Sequence, residues 1–312
     1  MALQRYKIIL NPTAGKGAAG ERIPEVNTLL RQQGLDYEIF LTQRVWHAAE
    51  LARDAKSEGF DVVVSAGGDG TVNEIINGLM IAKERGEALP AMGCLSLGRG
   101  NDFSYGADIP GNLAPGVEVL ARDQRRPMDV GRITGGNFPQ GRYFGNGIGA
   151  GFDTIVGLEA AKMKHVHGFM AYVFGALKTF ILYPNAPDII LTHDKGVFTQ
   201  PSHQISIMNG KRMGGTFFMA PDAKNYDGLL DLCLASRLTR RAMITLMGHY
   251  MKGTQALHPS IQIERSATYQ ISAPHGGLVV HADGETICTD GYSLLVECLA
   301  SQIQMICQAG NA

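Results

Sequence analysis

The first third of the chain alternates between two periodicities of apolar residues. Short apolar runs, such as residues 61–65, predict buried strands, and apolar residues spaced three or four apart, as in residues 21–33, predict amphipathic helices. This alternation predicts a parallel, doubly wound α/β sheet, which binds ligands at the carboxyl ends of its strands. The predicted strands are residues 7–10, 37–41, 61–65 and 91–97, and the predicted helices are residues 21–33, 46–56 and 71–80.

Near residue 127 the pattern changes to short strand-like runs separated by glycine-rich turns. This pattern predicts an antiparallel sandwich or barrel. Two helices interrupt it, at residues 169–182 and 240–252, and Thr239 is a suitable N-cap for the second. We therefore divide the chain into an α/β domain and a β-rich domain, with a tail that could pack back on the first. The divisions are residues 1–127, 128–299 and 300–312.

Composition narrows the class of protein. Of 312 residues, 28 are Lys or Arg and 29 are Asp or Glu, and this balance argues against a nucleic-acid partner. The five cysteines show no CxxC spacing, which predicts neither a disulfide framework nor a zinc site. Residues 166–183 are apolar but contain His167 and Lys178, so they predict no transmembrane segment. These features favour a cytoplasmic protein.

Glycine, at 39 residues, collects in three loops that follow predicted strands. The loops are residues 11–17 (NPTAGKG), 67–71 (GGDGT) and 98–103 (GRGNDF). Bare amides beside a helix N-terminus suit phosphate oxygens, although glycine also permits tight strand-to-helix turns. None has the Walker A or the dinucleotide spacing. Asp69 is either an N-cap or an anchor, through water, for Mg²⁺ beside nucleotide phosphates.

These motifs resemble those of a known family. Residues 67–74 (GGDGTVNE) resemble the GGDGTxNE signature of the diacylglycerol kinase catalytic domain, and residues 98–103 resemble its GxxNDF loop. Residues 11–15 resemble its NPxxG loop. Residues 227–229 (DGL) and 283–285 (DGE) resemble elements of the bacterial soluble lipid kinases. GGDGT alone is shared with NAD kinases, and the NDF residues of the third loop together with the late DGE element distinguish the lipid kinases.

The resemblance implies a phosphofructokinase- or NAD-kinase-like α/β domain, an antiparallel β-sandwich domain, and an active site between them. It implies transfer of the γ-phosphoryl group of ATP to a lipid hydroxyl, with diacylglycerol as the expected acceptor. By matching positions, the implied catalytic residues are Asp283 as general base, Glu285 beside it, and Asp69. The implied nucleotide-binding residues are Asn11, Pro12, Thr13, Ala14, Gly15, Thr42, Gly67, Gly68, Asp69, Gly70, Thr71, Val72, Asn73, Arg99, Asn101 and Asp102.

The resemblance also implies a structural Mg²⁺ held by Asp227 and by the carbonyls of Lys224 and Leu229. Two features of the sequence leave alternatives open. Many bacterial members have threonine where this chain has Arg99, and a guanidinium there could meet a phosphate directly. The Asp-Gly pairs at Asp227 and Asp283 are also common in hairpin turns.

A lipid kinase has to meet a membrane, here the inner leaflet. Candidate contacts are the helix of residues 169–182, which we interpret as a packing helix, and basic residues whose simplest interpretation is solvated surface: Lys162, Lys164, Arg240 and Arg241. We interpret Trp46 as a helix-packing residue. An exposed strand edge could pair two chains into a homodimer. Two other functions stay open: a kinase of the NAD kinase type, and a nucleotide-binding regulator without catalysis.

Overall fold

The N-terminal part of the chain is a parallel sheet with helices on both faces. The computed structural model describes residues 4–161 and 186–308. Within them the first four strands run parallel in the order β4-β3-β1-β2, which confirms the predicted α/β fold. These strands are β1 (Arg5–Leu10), β2 (Asp36–Leu41), β3 (Val62–Gly67) and β4 (Ala91–Ser96).

The helices of this unit bury two separate cores. They are α1 (Ala18–Glu21), α2 (Ile23–Gln32), α3 (His47–Asp54), α4 (Asp69–Glu84), α5 (Asp102–Gly106) and α6 (Leu113–Arg122). On one face Leu30 of α2 packs with Val117 of α6, and on the other Ala48 of α3 packs with Ile75 of α4. The predicted helix of residues 21–33 begins only at Ile23, because Pro24 suits the first turn of a new helix and cannot continue an earlier one.

The C-terminal part is an antiparallel β-sandwich that carries two described helices. Its inner faces form one core that includes Phe144, Ile205 and Tyr269. The predicted N-cap of the second helix, Arg240–Lys252, is present, since Thr239 Oγ1 accepts a hydrogen bond from Ala242 N at 3.3 Å. The elements are β5 (Arg125–Gly135), β6 (Phe138–Phe144), β7 (Gly147–Gly151), α7 (Phe152–Ala161), β8 (Asp188–His193), β9 (Gly196–Met208), β10 (Leu230–Ser236), α8 (Arg240–Lys252), β11 (Ile261–Ser266), β12 (Thr268–Ser272), β13 (Leu278–Ala282), β14 (Glu285–Gly291) and β15 (Ser293–Ile306).

The long strand β15 joins the two units. It pairs antiparallel with β5 and, near its end, parallel with β4, where Met305 lies opposite Met92. Ile303 and Met305 enter the core beneath α3 and α4. The fully buried Asp129 of β5 accepts amide hydrogen bonds from Gly228 at 2.6 Å and Ser301 at 2.7 Å. Buried hydrogen bonds therefore hold β5, the loop before β10 and strand β15 together where the two units meet.

Candidate active site

The three glycine-rich loops meet at the carboxyl ends of β1, β3 and β4. A Cβ atom on Gly98 would lie 2.4 Å from the Cα of Gly68, and one on Gly15 would lie 3.0 Å from the carbonyl oxygen of Leu97. Only glycine allows the first of these backbone approaches. The loops therefore form one contiguous backbone surface, as expected for a phosphate-binding edge.

The residues that the resemblance assigns to the nucleotide are grouped around this surface. Asn11 Nδ2 donates to Thr71 Oγ1 at 3.3 Å, and Asn11 Oδ1 accepts from Thr13 N at 3.0 Å. Thr42 follows β2, and its amide donates to Leu10 O at 2.9 Å. Val72 is different, since its side chain is buried in the core beneath α4 and leaves only its backbone for a ligand. The other assigned positions of these loops are Pro12, Ala14, Gly67, Gly70, Asn73 and Asn101.

Asp69 is the first residue of α4, where the helix dipole stabilises a negative charge. Its Oδ1 accepts a hydrogen bond from Phe103 N at 3.0 Å. A Cβ on Gly100 would lie 3.0 Å from its Oδ2, so the backbone of the third loop lies directly against this carboxylate. Burial raises the pKa of Asp69, and hydrogen bonds from the amides of residues 101–103 oppose the rise.

Asp102 is directed toward the C-terminal unit. Its Oδ1 accepts from Arg212 Nε at 2.9 Å and from Gly215 N at 3.0 Å, and Arg212 Nη2 also donates to Gly100 O at 3.0 Å. Burial, together with the negative charge of Asp69, raises the pKa of Asp102 to about 6. Asp102 thus fastens the third loop to the segment after β9. The sequence analysis missed Arg212, because an arginine shortly before a Gly-Gly turn belongs to no recognisable functional motif.

Asp283 lies in the turn between β13 and β14, in the left-handed region with φ of +46°. Its Oδ1 accepts from Gly147 N at 2.9 Å and Asn146 N at 3.1 Å, and its Oδ2 accepts from Gly145 N at 2.7 Å. The amides that bind it come from the break between β6 and β7. The apolar run of residues 142–148 predicts a single strand, and this prediction is wrong, because these amides point to a carboxylate and not to a neighbouring strand.

The helix α4 brings Asp69 and Asp283 to one crevice. Asn73 Nδ2 donates to Asp283 Oδ2 at 3.0 Å and lies four residues after Asp69. Side chains four apart on a helix are neighbours on one face, with about 5–6 Å between their Cβ atoms. Burial raises the pKa of Asp283, and its four N–H donors oppose the rise by stabilising the carboxylate. Acidic residues from both units thus lie around one end of α4.

Glu285 is paired with a cation. Arg142 Nη2 lies 2.6 Å from Glu285 Oε1, and the Arg142 guanidinium lies 3.8 Å from the centre of the Trp46 ring. Trp46 precedes α3 in the left-handed region, with φ of +71°. Our interpretation of Trp46 as a helix-packing residue is therefore wrong, since it stacks on an arginine of the other unit. Sequence reasoning missed Arg142, which has no motif around it.

Arg99 is exposed at the tip of the third loop. Within residues 4–161 and 186–308 its guanidinium has no hydrogen-bond or ion-pair partner, so it is available to an anion at the crevice. This position is compatible with a direct contact to phosphate, and the nucleotide contact of Arg99 stays a prediction.

The loop predicted to bind a structural Mg²⁺ already contains a cation. Arg265 Nη2 pairs with Asp227 Oδ2, and Arg265 Nε lies 3.2 Å from Asp231 Oδ1. Asp227 Oδ1 accepts from Leu229 N at 3.2 Å. Mg²⁺ prefers six oxygen ligands, and the described residues contain no group of three or more acidic, histidine or cysteine side chains placed for a metal. Asp227, the one carboxylate of the predicted site of Lys224, Asp227 and Leu229, is thus already paired with a cation, and the Mg²⁺ site stays a prediction.

We expect chelation to leave the melting temperature of the protein unchanged, because Arg265 supplies the countercharge. Arg265→Ala is expected to cost about 1–3 kcal/mol of unfolding free energy, since it leaves the buried Asp231 unpaired. Burial already raises the pKa of Asp231 to about 6, which Arg265 opposes. Thermal melting with EDTA or with MgCl₂ measures both effects. Lys195→Ala, which removes an exposed partner of Glu264, is the matched control. A lower melting temperature in EDTA would instead support the Mg²⁺ site.

Comparisons with known proteins agree with this architecture. Residues 5–133 match the diacylglycerol kinase catalytic domain, and residues 146–307 match the YegS C-terminal NAD kinase beta sandwich-like domain. A diacylglycerol kinase of Staphylococcus saprophyticus is 28% identical over 289 residues, which cover 90% of this chain and 89% of that protein. One of Staphylococcus aureus is 28% identical over 285 residues, which cover 90% and 86%.

Solved structures share the fold. A diacylglycerol kinase from Bacillus anthracis str. Sterne superposes with a TM-score of 0.73 at 20% identity, with 100% of both chains covered. Yeast NADH kinase in complex with NADH superposes with a TM-score of 0.54 at 12% identity, with 99% of this chain and 84% of that chain covered. The α/β unit followed by a β-sandwich is therefore a fold that lipid kinases and dinucleotide kinases have in common.

The fold and the crevice define a phosphotransferase with an alcohol acceptor, and the chain belongs to the diacylglycerol kinase catalytic-domain family of bacterial lipid kinases. It is an ATP-dependent lipid kinase. The prediction of a lipid kinase is confirmed at this level. Among the described residues, none of the helices combines the length and the apolar character that spanning a bilayer requires. The predicted helix of residues 169–182 lies outside the described residues, as do Lys162 and Lys164.

Proposed function

We propose that the protein transfers the γ-phosphoryl group of ATP to the free hydroxyl of diacylglycerol, giving phosphatidic acid. The main observation in support is the hydrogen bond from Asn73 to Asp283. It joins the phosphate-binding unit to the sandwich unit beside Asp69. Relatives named diacylglycerol kinase, matched over nine-tenths of this chain, support the choice of acceptor.

ATP is expected to enter with its Mg²⁺ and to lay its phosphates along the three loops. Exposed amides and a helix N-terminus bind phosphate oxygens, and Arg99 adds a positive charge at the open side. Asp69 faces the same loops with a carboxylate, the ligand type that Mg²⁺ prefers, directly or through water. These groups hold ATP, the phosphoryl donor, and neutralise the negative charge of its phosphates. Positioning and charge neutralisation are most of what phosphoryl transfer requires.

Asp283 is the proposed acceptor of the lipid hydroxyl proton. As the hydroxyl oxygen forms its bond to the γ-phosphorus, the bond from that phosphorus to the ADP oxygen breaks and the proton passes to Asp283. The amides of Gly145, Asn146 and Gly147 hold this carboxylate in one orientation, and burial raises its pKa, which strengthens it as a base. Arg142 pairs with Glu285, two residues after Asp283, so the charge of Glu285 is already balanced and we assign the proton to Asp283.

Incubation with radiolabelled ATP and a panel of acceptors tests this proposal. The panel contains diacylglycerol, monoacylglycerol, ceramide, sphingosine, phosphatidylglycerol and NAD, and products are separated by thin-layer chromatography. We expect label in phosphatidic acid. Label only in NADP would favour the dinucleotide kinases that share the fold. ATP binding by calorimetry without transfer to any acceptor would favour a regulator without catalysis.

A further inference from the structure

One stretch of the sandwich unit has an unusual charge. Residues 232–263 contain no aspartate or glutamate, although the whole chain has 29. The same stretch contains four cations: Arg237, Arg240, Arg241 and Lys252. This stretch of sequence, which runs from β10 through α8 into β11, therefore has four cationic and no acidic residues in a protein with a net charge of −1. Such a region favours an anionic surface as its partner.

The helix at the centre of this stretch, α8, is amphipathic in an unexpected way. Met243, Leu246 and Tyr250 are buried, as the inner face of a packed helix requires. On the outside, however, Ile244 is 60% exposed and Met251 is 50% exposed. Residues seven apart lie on the same face of a helix, so these two apolar side chains form one outward stripe.

The stripe continues beyond the helix. Leu257, in the short 3₁₀ helix Gln255–Leu257 after α8, is 78% exposed. Arg241 and Lys252 are exposed at the two ends of α8. We call Ile244, Met251, Leu257, Arg241 and Lys252 the outer face of α8. Exposed apolar side chains flanked by cations are typical of helices that lie in a membrane interface.

The outer face of α8 belongs to the same part of the molecule as the crevice. Phe218 N donates to Tyr250 O of α8 at 2.8 Å, and Gln255 Nε2 donates to Met219 O at 2.9 Å. The segment that supplies Phe218 begins with Arg212, which binds Asp102 at the crevice. One short segment therefore joins α8 to the loop that borders the proposed phosphate site.

We propose that the outer face of α8 docks on the surface of a bilayer that contains anionic phospholipid. This inference deepens the proposed function and rests on it, because diacylglycerol with two acyl chains stays in the bilayer and the enzyme has to reach it there. The cations meet the phosphate headgroups while Ile244, Met251 and Leu257 enter the boundary with the acyl chains. A second copy of the chain fits less well, since a symmetric contact sets the cations against each other.

Vesicle sedimentation tests the docking without catalysis. The probes are vesicles of equal parts phosphatidylcholine and phosphatidylglycerol, and vesicles of phosphatidylcholine alone. We expect the full chain to sediment with the first far more than with the second, and less so at high salt. The double substitution Ile244→Asp and Met251→Asp is expected to lower binding to the anionic vesicles about tenfold or more. The matched control is Val197→Asp, at an apolar position that is 58% exposed on β9.

Two forms of the lipid acceptor, one in vesicles and one dispersed in water, distinguish a loss of membrane docking from a loss of phosphoryl transfer. The double variant is expected to lose activity toward long-chain diacylglycerol in vesicles and to keep wild-type activity toward a short-chain diacylglycerol dispersed in water. Equal binding of the double variant and the wild type to vesicles would overturn the proposal. A wild-type dimer in solution that the double variant dissociates would overturn it in favour of a second copy. Vesicle binding that depends on α8, without phosphorylation of any lipid, would keep the docking and reject the proposed acceptor.

Discussion

Asp283→Asn is expected to lower kcat by about 10²–10⁴-fold, the usual effect of losing a general base. ATP binding is expected to be largely retained, because the three nucleotide loops belong to the α/β unit. Asp283 belongs to the sandwich unit and contacts the α/β unit through its hydrogen bond from Asn73. An asparagine would also direct an NH₂ group at amides that now donate to the carboxylate. We therefore expect a loss of about 1–3 kcal/mol of unfolding free energy. Steady-state kinetics, calorimetry with ATP and thermal melting measure the three quantities.

The control for this substitution is Asp290→Asn, on β14. Asp290 Oδ1 accepts a hydrogen bond from Gly277 N at 2.7 Å, so it is a turn carboxylate of similar type away from the crevice. The control is expected to keep wild-type kcat. If Asp283→Asn weakened ATP binding by the same factor as it lowered turnover, Asp283 would be a structural residue that holds the two units together. Another group would then accept the proton.

The sequence carried enough information to predict the phosphate-binding edge, because its features are local. Glycines that follow apolar strands have to turn the chain, and the ends of parallel strands have to meet at one edge. The contact between Gly68 and Gly98 is the result. The same holds for α8, where the cap at Thr239 and the apolar spacing lie within one segment.

Contacts between distant segments left no comparable trace in the sequence. Arg212, Arg142 and Trp46 have ordinary neighbours in the chain, and each gains its role only when the two units meet. The break between β6 and β7 has the same origin. Residues 142–148 have strand propensity, but Asp283, 136 residues after Gly147, binds the amides that a continuous strand would use. Tertiary hydrogen bonding thus overrode a correct local preference.

The helix α6 shows a different limit. It contains Pro115 and Gly116, two residues that normally argue against a helix. Pro115 lies in the first turn, where a proline costs no hydrogen bond, and Gly116 lies close to Leu95 of the neighbouring strand. Packing on the sheet therefore stabilises a helix that residue preference alone did not predict.

Asp69→Asn is expected to lower kcat/KM for ATP by about 10²–10³-fold, the scale of a lost electrostatic contact at a phosphoryl group. The asparagine oxygen can still accept from Phe103 N, so the third loop is expected to keep its conformation. What is lost is the negative charge at the start of α4, which in the proposed mechanism would meet the Mg²⁺ of the bound nucleotide. Kinetics as a function of Mg²⁺ at fixed ATP measure this loss.

The dependence on Mg²⁺ distinguishes an ion contact from a structural role. If Asp69 meets the ion, Asp69→Asn should weaken binding of ATP with Mg²⁺ and change the binding of ATP in EDTA much less. If Asp69 only caps α4, both forms of ATP should bind less well and the melting temperature should fall. Asp36→Asn, at an exposed position at the start of β2, is the matched control and is expected to behave as wild type. Wild-type turnover by Asp69→Asn would remove Asp69 from the proposed mechanism. The buried Asp69 side chain would then serve only to accept the hydrogen bond from Phe103 N, which an asparagine accepts equally well.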